Sequence, residues 1–467
     1  MSRRRGRVIA RALRPLLAMV AASSSACQSE TPSVDCQLEE NSAIAASPLM
    51  LSPTARVDRV AQWFVLLGAD GTSATMIRWA TIELNGQAGP EHAVPVPAFT
   101  AGPWFAVAGD KTAGDSVLVA FGKPAATAAD LDIFVIAVPS DGSAAASAPS
   151  LLTTIAGAAK AGAAVNVVMA SSVTGMRAAL AWIAPTTLPA GTPPPRGPAA
   201  GAGVIKTLVL AGSGMPVAAP LPIETVTGST CLGFAPGRAD LTIGYLRYET
   251  PTTPPDWSMT ELGDNGASEF SLAIPLATEA PSCPHLAPTM AGGYVLAWQD
   301  ISGSRIGVYD IVTNHFYPRL FVTAVEFGGA DVQPPVMGLG EVSRDFAVLF
   351  ARARSTEVWR IGALGTRRPG ALSLPSVLGD IGQVSAIPLG GAVYATYADY
   401  SGTSTGPEAG AAADVDAASN ADAAAPDAGT TADGGAPSDA APADRNAGPE
   451  APPARAGQRL FVKISCF

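Results

Sequence analysis

Residues 292–314 read GGYVLAWQDISGSRIGVYDIVTN, and this stretch decides the fold. Residues 294–299 are apolar on both faces of an extended chain, residues 300–304 form a polar tip with a glycine, and residues 305–312 alternate. Two strands joined by a turn is the plain reading of that pattern. The same pattern returns along the chain. Apolar runs lie at 62–67 (QWFVLL), 116–121 (SVLVAF), 176–183 (MRAALAWI), 240–246 (DLTIGYL), 345–350 (DFAVLF) and 392–397 (AVYATY). Each is followed by a second strand, at 75–83, 132–138, 204–210, 256–262, 356–361 and 458–466. A looser, Pro-rich strand precedes each pair, and a fourth is expected after most of them, as at 92–97 and 270–274.

The composition agrees with an all-β chain full of turns: Gly 48 and Pro 41 in 467 residues. With 24 Arg against 5 Lys and abundant Ala, Gly and Pro, it also points to a GC-rich bacterial genome. The formal charge is −10, and six arginines lie in the first 14 residues, so a chain cleaved after residue 26 carries −16. So acidic a protein does not hold nucleic acid by neutralising phosphates. Any long-range attraction it exerts is toward cations or basic surfaces.

The N-terminus begins with a basic segment, MSRRRGRVIARALR. A short apolar run follows (PLLAMVAA, 15–22), and then Ser24, Ser25 and Ala26 directly before Cys27. This reads as an export signal, too short to anchor the chain by itself. Small residues just ahead of a cysteine make the segment resemble a bacterial lipoprotein signal. The resemblance implies that Cys27 becomes the lipidated first residue of the mature protein. Ser24 departs from the family pattern, which favours an aliphatic residue there, and ordinary cleavage after Ala26 is the other reading. Gln28 in the next position resembles the pattern delivered to the outer membrane. No other run reaches 18 apolar residues, so no transmembrane helix is expected. Lipidation of Cys27 would leave four of the five cysteines, Cys36, Cys231, Cys283 and Cys466, to pair in an oxidising compartment.

Seven copies of about four strands, recurring every roughly fifty to sixty residues, resemble a β-propeller, although no named propeller signature is present. The expected fold is a seven-bladed β-propeller of four-stranded blades, its ring closed by N- and C-terminal strands. A strand apolar on both faces is what packing between blades requires. One such sheet cannot bury its faces alone, whereas a ring of them can. Tandem sandwiches, the competing all-β architecture, would repeat near ~100 residues. The expected boundaries are 1–26 for the signal, 27–46 for a lipidated tether and closing strand, and 47–400 for the blades. An insertion follows at 401–456, and 457–467 supplies the last propeller strand.

The seventh copy lacks its outer strand. The segment around residues 36–45 is expected to supply it, which would set Cys36 against Cys466 across the closure. Cys231 opens CLGFAP and Cys283 opens CPHLAP, so the propeller resemblance puts both at one position of neighbouring copies and implies a second bridge between them. Two buried free thiols are the alternative.

Residues 401–456 hold nine acids, two arginines and almost no large apolar side chain, and are expected to stay disordered. The segment falls between the second and third strands of its copy. Residues 185–203 interrupt the third copy at the same place, and shorter insertions stand at 123–130 and 250–255. Insertions at one loop type decorate one face of a ring.

Catalytic signals are thin. The histidines are His92, His285 and His315. His285 is the candidate channel-mouth residue, and with Cys231 and Cys283 it has the composition of a three-ligand metal set. Pairing of the two cysteines argues against that, and no metal or cofactor is expected. Gly402-Thr-Ser-Thr-Gly406 matches a nucleophile-elbow string, but it leads into low-complexity sequence with no helix. The aspartates of 414–444 lack calcium-loop spacing. Trp63, Trp182 and Trp298 are expected in the core, and Trp104 is expected near a fourth strand, exposed.

The first strands, where a propeller would converge its catalytic groups, are dominated by Ala, Pro, Leu and Met. The leading expectation is therefore a monomeric, lipid-anchored bacterial envelope protein that binds a protein or glycan on its loop face and touches the membrane only through its anchor. The alternatives are an envelope enzyme, a lyase or hydrolase acting on glycans, and a structural scaffold.

Overall fold

Each apolar run of the sequence becomes the second strand of a four-stranded antiparallel sheet, and there are seven such sheets. The computed structural model describes residues 37–44, 55–401 and 457–465, less short stretches mostly between strands, of which 159–166, 187–201, 236–240, 277–281 and 324–334 are the longer. β1 (Gln37–Ile44) comes first in the chain and belongs to the last sheet. Blade 1 is β2 (Arg56–Val60), β3 (Trp63–Ala69), β4 (Ser73–Ile82) and β5 (His92–Thr100). Blade 2 is β6 (Phe105–Gly109), β7 (Ser116–Pro124), β8 (Leu131–Pro139) and β9 (Ser150–Ile155). Blade 3 is β10 (Val167–Ser171), β11 (Arg177–Thr186), β12 (Ala202–Ala211) and β13 (Leu221–Thr227). Blade 4 is β14 (Leu232–Ala235), β15 (Thr242–Arg247), β16 (Asp256–Leu262) and β17 (Ser268–Pro275).

Blade 5 is β18 (His285–Pro288), β19 (Tyr294–Asp300), β20 (Gly303–Asp310) and β21 (His315–Thr323). Blade 6 is β22 (Val336–Leu339), β23 (Phe346–Ala351), β24 (Ser355–Ile361) and β25 (Leu372–Pro375). Blade 7 combines β26 (Gly379–Leu389), β27 (Ala392–Ser401) and β28 (Gly457–Ser465) with β1 at its outer edge. The first strands of successive blades adjoin one another, and β26 meets β2 to complete the circle. The chain is a seven-bladed β-propeller closed by its two terminal strands, as the repeat count predicts.

The second strands explain why the ring is stable. In β3, Phe64 and Leu66 pack toward blade 7 against Tyr394 and Phe461, while Val65 and Leu67 pack toward blade 2 against Val119 and Ile136. In β19 the same split sends Leu296 and Trp298 to Trp257 of blade 4, and Val295 and Ala297 to Phe346 and Val348 of blade 6. Among the described residues, seven apolar clusters lie at the seven junctions between blades. Burying one such large apolar side chain is worth about 1.5–3 kcal/mol, so no blade holds its faces without its neighbours.

Turns between third and fourth strands stitch the blades. In four blades the turn makes the same hydrogen-bond pair, for instance Gly263 N–H to the Ala267 carbonyl and Gly266 N–H to the Gly263 carbonyl. Gly266 has φ +83°, which favours glycine, and an added Cβ would come within 3.2 Å of Val209 in blade 3. Its carbonyl accepts a hydrogen bond from Thr207 Oγ1 of that blade at 2.9 Å.

Trp182 and Trp298 are fully buried, and Trp63 is half-buried against the blade 1–blade 2 cluster. Trp104 differs from expectation. The fourth strand of blade 1 ends before it, and Trp104 leads into the inner strand β6, half-buried, with its carbonyl accepting from Gly122 N–H at 2.9 Å.

Candidate functional site at the mouth of the central channel

Antiparallel alternation fixes which chain segments share each end of the ring. Inner strands begin, and second strands hand over to third strands, at one end; the other two hairpin types lie at the opposite end. The connections 125–130, 187–201, 248–255 and 402–456 all join a second strand to a third, so they leave and re-enter the ring at the end where the inner strands start. Around the axis this end is the mouth of the channel.

Two inner strands present a basic side chain there. Arg56 is the first residue of β2 and His285 the first of β18. Arg56 lies opposite Leu67, and His285 opposite Ala297. Leu67 and Ala297 each pack toward the following blade. Cross-strand partners share a sheet face, so Arg56 and His285 occupy the corresponding face of blades 1 and 5, on nearly opposite sides of the ring. The segment entering β18 is held rigidly: Ser282 N–H donates to the Gln299 carbonyl at 2.7 Å, and Gln299 N–H donates to Ser282 Oγ at 2.9 Å. Pro284 is buried.

Both side chains are solvent-exposed, yet both feel the protein around them. Burial pushes the His285 imidazole down to about 4 and pulls the Arg56 guanidinium below its ordinary value. Exposure together with desolvation describes a group with protein close around it and water still within reach. The direction of the shift leaves His285 neutral at pH 7. Arg56 Nη1 also donates to the Ala55 carbonyl at 3.0 Å.

Among the inner-strand residues with described side chains, the other charged groups are Asp58 and Arg59. Asp58 accepts from Arg59 N–H at 2.7 Å and, across the blade junction, from Gly109 N–H at 2.9 Å. Arg59 Nε donates to the Ala61 carbonyl. The apolar composition expected of the first strands therefore fails at β2, where the register puts V-D-R-V beside the axis.

The three histidines are dispersed. His92 lies on β5, the outer strand of blade 1, its ring 5.4 Å from that of Trp79 in a cleft of about 310 Å³ shared with Gly142. His315 opens β21, the outer strand of blade 5, with its ring 4.6 Å from Tyr317. Cys283 is exposed and disulfide-bonded. Cys27, Cys36, Cys231 and Cys466 lie outside the described residues, as do the Gly402–Gly406 string and the aspartates of 414–444. Among the described residues, no three His, Cys, Asp or Glu side chains group as metal ligands would. No described helix is long and apolar enough to cross a membrane.

No protein-family model and no curated protein matches the chain. Solved structures do. A puromycin hydrolase S511A mutant complexed with PGG is 12% identical, with a TM-score of 0.46, over 76% of this chain and 52% of its own. This chain thus spans about half of that hydrolase. A protein of unknown function from Dyadobacter fermentans is 11% identical, TM-score 0.43, covering 93% of this chain and 99% of that one. The β-propeller domain of the Trilobed protease from Pyrococcus furiosus is 9% identical, TM-score 0.38, covering 79% and 91%. These likenesses extend to the propeller fold alone.

Proposed function

We propose that this is an exported, lipid-anchored protein of the bacterial cell envelope, whose propeller is a binding module for a protein or glycan. Cys27 carries the anchor, the residues after it form the tether, and the end of the ring bearing the channel mouth is the working face. The observation that supports this reading is topological: the four long second-to-third-strand connections all open onto the end where the inner strands begin. The two longest connections between strands, 187–201 and 402–456, are both of this type, and long insertions in one loop type build a recognition surface on a constant frame. At the opposite end, the third-to-fourth-strand turns of four blades share one hydrogen-bonded design.

The anchor is tested by expression in a Gram-negative host and mass spectrometry of the mature protein. The expected N-terminus is Cys27 bearing acyl chains, and Cys27→Ser should move the protein from the membrane to the soluble fraction. An unmodified N-terminus sinks the anchor. The face is tested by replacing 187–201 and 402–456 with short turns like that between β19 and β20. Retention on immobilised envelope glycan or envelope protein should fall while the melting temperature holds. Unchanged retention would overturn the assignment of the face.

A further inference from the structure

The turn between β8 and β9 breaks the design that its neighbours share. Between third and fourth strands, a backbone N–H returns to the carbonyl eight residues before it in blades 1, 3 and 6: Gly89 to Thr81, Val217 to Val209 and Arg368 to Arg360. In blade 2 it returns to the carbonyl ten residues before it, Ser147 to Ala137 at 2.9 Å. Pro139 stands where the other turns have a donating N–H. The two added residues fall within 143–147, and Ala144, Ala145 and Ala146 of that stretch wall the cleft beside His92. We propose that this cleft, between the outer parts of blades 1 and 2, binds one pyranose ring of a glycan, with His92 and the backbone of Ala144 and Ala145 as its hydrogen-bonding contacts. The cleft lies at the end of the ring that carries the tight turns, so it does not depend on the loop face being the working one.

Three features support it. The first is size: the cleft holds about 310 Å³, at the small end of ligand sites and suited to a single ring. The second is a wall that mixes the two kinds of surface a sugar presents. Ala93, Val94 and the three alanines supply apolar surface for a C–H face, and Val94 and Ala146 are anchored on the blade 1–blade 2 cluster. Among the described residues, no hydrogen bond occupies the backbone groups of Ala144 or Ala145, which leaves their N–H and C=O groups to hydroxyls. The third is a fixed imidazole. Its ring stands 5.4 Å from that of the buried Trp79, and Gly142 lies over it so closely that an added Cβ would strike the ring. An imidazole donates from at least one ring nitrogen in either protonation state. The exposed Asp141 carboxylate, held by Ser143 N–H at 2.9 Å, is near enough to interact with His92 and adds an acceptor at the rim. Groups held in this way need little further ordering on binding.

The test uses the mature protein and saturation-transfer NMR, which reads weak binding from the ligand's own signals. Methyl glycosides of glucose, galactose, mannose and N-acetylglucosamine are titrated in parallel with glycerol, a polyol without a ring. At least one glycoside should show saturable transfer with a Kd on the order of a millimolar, and glycerol none. The same glycoside should shift the imidazole signals of His92, which His92→Gln assigns among the three histidines. Ala145→Leu, at an exposed position lining the cleft, should weaken binding about tenfold or more while the melting temperature holds. His92→Gln should weaken it as well. No saturable transfer from any glycoside, equal transfer from glycerol, or unchanged binding in Ala145→Leu overturns the proposal. Shortening 187–201 and 402–456 should leave this binding as it is, so the cleft and the loop face are read separately. Loss of glycoside binding on that shortening would place the sugar on the loop face and overturn the cleft.

Discussion

Gln37 of β1 lies directly opposite Ser465 of β28, the outermost described pair of the ladder that closes the ring. In the sequence, Cys36 precedes Gln37 and Cys466 follows Ser465. Opposed positions in an antiparallel ladder bring Cα atoms to about 4.5–5.5 Å, within the reach of a disulfide. A bridge between them is expected in the exported protein, and non-reducing peptide mapping should recover the two cysteines in one linked fragment. Because the bond would close a loop running from residue 36 to residue 466, Cys36→Ser should cost about 6 kcal/mol in the chain-entropy account. Recovery of both cysteines as free thiols would refute it.

The same closure depends on an aromatic joint between blades 7 and 1. Phe461 is 2% exposed, and its ring centroid stands 5.5 Å from that of Phe64 and 5.4 Å from that of Tyr394. Phe461→Ala should lower the unfolding free energy by about 3–5 kcal/mol, and Phe461→Leu by less. Urea denaturation of the two variants provides the comparison.

A buried ion pair in blade 6 makes a contrasting case. Arg360 Nε donates to Asp345 Oδ2 at 2.7 Å, both side chains are below one-tenth exposed, and Arg368 stands 3.5 Å from the same oxygen. Arg360→Met alone should destabilise by about 1–3 kcal/mol, since the buried carboxylate keeps only its longer contact to Arg368, while pairing it with Asp345→Leu should recover part of the loss. A double-mutant cycle measures the coupling.

The neutral His285 makes stability pH-dependent. Its folded pKa, lowered to about 4, lies below the ordinary value of 6.5, so the unfolded chain takes up its proton first as pH falls. The contribution of this residue is therefore constant above about pH 6.5, declines as pH drops toward 4, and levels off below that. Denaturant melts at pH 7.5 and pH 4.5 should differ more for wild type than for His285→Gln. Equal differences would mean that the ring titrates normally.

Much of the ring was legible in the residues, and the reason is local. A strand packed on both faces has no polar side, so 62–67 and 294–299 advertise themselves, and their partners follow by alternation; β16 spans 256–262, as its alternation predicts. Inner strands were harder. β14, β18 and β22 are four residues each, too short for any period to register. The tight turns carry their signal in one glycine, Gly86, Gly214, Gly266 or Gly365, which only the shared hydrogen-bond pattern makes visible as a repeat. Arg56 was missed for a topological reason: nothing near it in sequence marks it, and only closure of the circle sets it across from His285. The closing strand QLEENSAI has no apolar stripe, and only the want of an outer strand in the last sheet pointed to it.

Blade 7 is assembled from residues 37–44, 379–401 and 457–465, the beginning and the end of the circle together. Synthesis delivers β1 before the six other blades and β28 after them, so β1 waits for all of those blades before it finds its mate. Until then six blades stand as an incomplete arc with two unsealed apolar flanks. Exposed apolar flanks of that kind invite association for as long as the gap persists, and β28 acts as the latch.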